Sequence, residues 1–104
     1  MAIQVYDSVS AEGVGGAVIR ISWATSDAVG GMRSVVAESD EEGLVELEGI
    51  PRATAVVIEV NHALYDGSRV EMRPGEVWEV FPVRIGLQPR GNVLIRQRTS
   101  VPVY

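Results

Sequence analysis

The chain predicts an all-β fold, a single Greek-key β-sandwich of about seven to eight strands, transthyretin-like or immunoglobulin-like. Three observations lead there. Apolar residues recur at every second position in several short runs, and no helical period is sustained. Glycine, proline and Asp-Gly turn signals separate those runs at regular spacing. Eleven glycines and five prolines supply the turns, and a 46% hydrophobic content is enough for a core in 104 residues.

Two runs predict the centre of that core. In GAVIRISW, Ala17, Ile19, Ile21 and Trp23 fall on one face and Val18, Arg20 and Ser22 on the other, as in a half-buried strand. In ATAVVIEV, Val56, Ile58 and Val60 share a face opposite Val57 and Glu59. Shorter strands are predicted at 3–6 (IQVY), 33–39 (RSVVAES), 44–48 (LVELE), 68–72 (SRVEM), 76–87 (EVWEVFPVRIGL) and 92–96 (NVLIR). The turns between them are EGVGG, DAVGG, DEEG, GIP, YDG, RPGE and PRGN. Pro82 predicts a bulge or a sheet edge within its run, leaving Phe81, Val83, Ile85 and Leu87 toward the core. The stretch ATSDAVGGM, 24–32, is the expected mobile insertion.

Residues 38–42 cluster four carboxylates before Gly43. Consecutive Asp40, Glu41 and Glu42 diverge and lack the alternate oxygen spacing of a calcium loop. The expected arrangement is a turn that an acid starts and Gly43 completes with a positive φ. Val45 and Leu47 then enter the core, and Leu44, Glu46 and Glu48 face out.

The succession GVGGAVIRI (13–21), SDEEGLVELEGIP (39–51), VVIEV (56–60), RPGE (73–76) and VRIGL (83–87) resembles carboxypeptidase regulatory-like domains. That family belongs to the transthyretin-like, prealbumin-like β-sandwiches. The resemblance spans residues 2–87 and implies the sandwich fold; its motifs are turn and core signatures and imply no activity. The chain departs from the pattern at Gly15, where the family has proline, and at Asn61-His62-Ala63-Leu64-Tyr65, where it has glycine-tyrosine. Similar hydroxyisourate hydrolases use several histidines and a C-terminal Tyr-Arg-Gly-Ser, whereas this chain has one histidine and ends SVPVY.

Chemistry is sparse in the remaining residues. Cysteine and lysine are absent, which excludes disulfides, thiolate metal sites, Schiff bases and lysine isopeptide links. His62 is the only imidazole, and it reads as a loop residue beside Asn61, Tyr65 and Asp66. No nucleophile elbow, Walker loop or dinucleotide glycine pattern occurs. The expectation is therefore a non-enzyme with no cofactor and no metal. No secretory signal or membrane-length apolar run is present, so the chain is expected to be made in the cytoplasm and to have no membrane partner.

Charge is unevenly placed. Residues 1–79 hold all fourteen acids and five arginines, a balance of −9, whereas 80–104 hold Arg84, Arg90, Arg96 and Arg98 and no acid. A net −5 argues against nucleic acid as a partner. The division expected is a sandwich over 1–87 and a C-terminal strand or arm over 88–104 of the same domain. That arm is too apolar for a solvated tail, and it points to protein partners through Arg90, Leu94, Arg96, Arg98, Val101, Val103 and Tyr104.

The function expected is a structural module that docks on a larger assembly or self-associates through a sheet edge and this arm. By analogy it fits a virion accessory such as a capsid decoration or tail protein. The alternative is a carbohydrate-binding or ligand-binding module with Tyr65 and Trp78 as its aromatic platform. Trp23, in phase with the core, is expected to pack inside.

Overall fold

A computed structural model describes residues 1–25, 31–51, 54–73 and 82–90. Among the described residues seven strands run in order: β1 (Ala2–Asp7), β2 (Val18–Ala24), β3 (Met32–Glu38), β4 (Leu44–Glu46), β5 (Val56–His62), β6 (Tyr65–Met72) and β7 (Val83–Leu87). They form two sheets, β4-β1-β7 and β3-β2-β5-β6, packed as a sandwich. Among the described strands, only β2–β3 and β5–β6 are hairpins within a sheet. Each other connection crosses between the layers, which is how β1 and β7 come to run parallel.

The period-two reading of the core holds. Ala17, Ile19 and Ile21 of GAVIRISW and Val56, Ile58 and Val60 of ATAVVIEV are fully buried, with Ile21 opposite Ile58 and Ile19 opposite Val60. The facing sheet adds Ile3 and Val5 from β1, Val45 from β4, and Ile85 and Leu87 from β7. Each fully buried aliphatic side chain contributes roughly 1.5–3 kcal/mol. Trp23 is half-buried and packs against this cluster. Strand β7 begins directly after Pro82 and is an outer strand of its sheet, so the residue without an N–H interrupts no ladder there.

One turn differs from expectation. The β5–β6 hairpin turns at Ala63 and Leu64, and Tyr65-Asp66-Gly67 belong to β6. Asp-Gly is a strong turn signal, but His62 overrides it: the Leu64 N–H donates to His62 Nδ1 at 3.0 Å and closes the turn two residues earlier. A register shift between Val60 and His62 accommodates the change. The strand expected at 92–96, the first half of the 76–87 run with Phe81, the RPGE turn and most of the 24–32 loop lie outside the described residues.

The β3–β4 corner carries chain from one sheet to the other. Asp40 accepts from the backbone N–H groups of Glu42 and Leu44, each at 2.9 Å, and Gly43 takes φ +83° as anticipated. A Cβ at Gly43 would collide with the Val5 carbonyl, and one at Gly13 with the Glu42 carbonyl, so these backbones touch where side chains cannot fit. Ser39 completes the corner from a buried position. Its hydroxyl donates to the Val14 carbonyl (2.7 Å) and accepts from the Ala17 N–H (2.9 Å).

Ser39→Ala should leave that buried carbonyl and N–H unpaired and cost about 1–3 kcal/mol. Urea unfolding would register the loss as a lower midpoint at unchanged slope. A variant as stable as the parent would mean that Ser39 does not hold the corner.

Candidate interaction edge

Strand β3 ends the four-stranded sheet, and among the described residues nothing pairs with it on the side away from β2. At one end Ser39 N–H donates to the Ala17 carbonyl, and at the other Thr25 N–H donates to the Gly31 carbonyl. With Ile21 opposite Val35 in the register between, the odd-numbered residues bond to β2. The N–H and C=O groups of Met32, Ser34, Val36 and Glu38 therefore face the open edge.

Its side chains suit a partner strand. Met32 is 64% and Val36 55% exposed, and residues 34–37 contain no charge and no proline. Beneath the edge lies an open groove of about 420 Å³ lined by Trp23, Arg33, Ser34, Val35, Glu48 and Gly49. Around the β3–β4 corner stand Glu38, Asp40, Glu41 and Glu42, all exposed and none in an ion pair among the described residues. Edge β6 is different: residues 88–90 cover its start, and Arg69 and Glu71 pair with one another at 3.1 Å on its outward face.

The start of the C-terminal arm is fastened to the sandwich. After β7, the Gln88 carbonyl accepts from Asp66 N–H and Arg90 N–H donates to the Leu64 carbonyl, both at 2.9 Å, while Pro89 bridges to Tyr65. Arg90, one of the expected contact residues, is exposed and lies 3.4 Å from the Asp66 carboxylate, a surface pair of small energetic weight. Arg84 stacks over the Tyr6 ring at 4.5 Å, and Gly86 leaves the room that ring occupies. Leu94, Arg96, Arg98, Val101, Val103, Tyr104 and Trp78 lie outside the described residues.

Tyr65 and His62 are engaged internally. The Tyr65 hydroxyl donates to Asp7 Oδ2 at 2.9 Å, and its ring meets His62 edge-on at 5.1 Å. His62 Nδ1 accepts from Leu64, which leaves Nε2 to donate to the Gly15 carbonyl at 3.1 Å. Asp7, which the sequence reading overlooked, is the hub: its other oxygen accepts from Val9 and Ser10 N–H groups (2.7 and 3.0 Å). An aspartate just before a Ser-Val-Ser turn was the available signal. Among the described residues no three potential metal ligands converge.

The Asp7 carboxyl is held below the usual carboxylate range, chiefly by the Ser10 N–H; partial burial opposes this, and the Val9 N–H and Tyr65 hydroxyl reinforce it. Tyr65 is pushed up, first by burial and then by Asp7. A depressed carboxyl stabilises the fold above its unfolded pKa of about 3.9, and that stability is lost as pH falls through the lower folded value. Asp7→Asn should therefore melt below the parent at pH 7, and the two melting curves should converge below about pH 4. A gap independent of pH from neutral to acid would refute the assignment.

No family model, no curated protein and no solved structure matches the chain, so functional conclusions rest on the geometry above.

Proposed function

We propose that this chain is a non-enzymatic assembly module, a small β-sandwich that joins a larger protein array through a sheet edge and its C-terminal arm. The supporting observation is the β3 edge: four alternate residues offer unpaired backbone groups beside exposed Met32 and Val36. An edge with those properties is a template for another strand, where main-chain bonds give affinity and alternate side chains give register. Natural sandwiches blunt such edges with lysine, proline or central charges; this one confines its charge to Arg33 and Glu38 near the ends. A virus particle, which presents many copies side by side, is one setting that suits such a module.

The arm supports the same reading. Residues 88–90 are bonded onto β6, so the remainder of the arm starts from a fixed point on the surface. That segment combines apolar residues (Val93, Leu94, Ile95, Val101, Val103 and Tyr104) with Arg96 and Arg98 and bears no acid. The carbohydrate alternative draws less support, because the Tyr65 ring and hydroxyl are occupied by His62 and Asp7.

Ser34→Pro tests the edge. It removes one outward N–H while leaving the β2–β3 ladder intact, because Ser34 bonds to nothing on β2. Light scattering should show the parent as an oligomer and the variant with at least a tenfold weaker association at similar melting temperature. A parent that stays monomeric at high concentration, or a variant that associates equally well, would sink the proposal.

A further inference from the structure

Resting on the assembly reading, we infer that the strand received by β3 is residues 92–96 of a second copy of this chain, running parallel to residues 34–38. The chemistry of the two segments matches position by position. Setting Leu94 beside Val36 places Val93 beside Val35 and Ile95 beside Ala37 on the inward face, where Trp23 and the groove lie. On the outward face Arg96 falls beside Glu38, and Arg98 continues toward Asp40 at the acidic corner. An antiparallel strand in the same window keeps the aliphatic pairs but carries Arg96 to Ser34 and Arg98 to Met32 on the outward face, away from Glu38 and Asp40, at the end where Arg33 and Glu48 both line the groove beneath. Charge complementarity thus selects the parallel direction.

Reach selects the second copy. Arg90 is bonded to Leu64 on the far side of β6, and β3 stands at the opposite edge of the same sheet. With residues 88–90 outside β6, the separation is four strand spacings, about 19 Å. Two residues extended from Arg90 to position 92 cover only about 7 Å. A chain cannot lay residues 92–96 on its own β3, whereas a neighbour's edge can be brought to the arm.

The chain has no cysteine, so introduced thiols report cleanly. Full-length Val36→Cys and Leu94→Cys, prepared separately, would be mixed, treated with a short bismaleimide and analysed by denaturing gel and peptide mass spectrometry. In parallel, the parent's mass is measured by light scattering. The expected result is a covalent dimer linking position 36 of one variant to position 94 of the other, formed several-fold faster than in either variant alone. An oligomeric parent with no 36-to-94 link would overturn this donor assignment and leave the assembly reading standing. A chain carrying both Val36→Cys and Leu94→Cys, treated with the same reagent, is the control, and a link formed only within one such chain would overturn the second copy as donor. A monomeric parent would overturn both readings.

Discussion

The corner between β3 and β4 is the constraint on which the sandwich depends. There the chain leaves one sheet for the other within five residues, and its backbone groups must be satisfied at the layer boundary. Ser39 bridges Val14 and Ala17, Asp40 caps the turn, and Gly43 lies against Val5 and Gly13 where a Cβ would not fit. Those contacts join three segments far apart in sequence. They bring β4 alongside β1, and so fix which faces of the two sheets meet.

Once the layers are set, the apolar faces have no freedom left. A one-residue slip in any strand would turn its buried set to solvent, so the Ile19, Ile21, Ile58 and Val60 block holds register for the whole larger sheet. Among the described residues no buried side-chain nitrogen or oxygen lacks a hydrogen-bond partner. Chemistry, where it occurs, is confined to the rim: the Asp7, Tyr65 and His62 cluster at one end and the carboxylates of the β3–β4 corner. The rim cluster is directed inward, to backbone groups and to its own members. It holds the β5–β6 turn and the segment leaving β7 in place.

This arrangement leaves the edges as the surfaces with unmet bonding capacity. The β6 edge is partly used by residues 88–90 and charged beyond them. The β3 edge is uncharged in its middle and stands beside a groove that Trp23 helps to line. The acidic corner follows β3 at one edge of the larger sheet, and residues 88–90 lie along β6 at the other.

Alternation of apolar and polar residues determined the strands, their inward faces and the all-β class, because a period of two admits no other regular structure. Asp40 and Gly43 determined their turn, since short-range hydrogen bonds and a left-handed φ need nothing from the rest of the chain. Only the tertiary structure decided the partners. Val14 belongs to no periodic pattern, and its burial, like the bonds that Ser39 makes to Val14 and Ala17, comes from packing between segments remote in sequence. The shift of the hairpin turn to Ala63 and Leu64 depended on an imidazole that bonds to Gly15 across 47 positions. Which strand would end the sheet with its bonds open was likewise beyond the sequence, because strand order is set by how two layers close over one core.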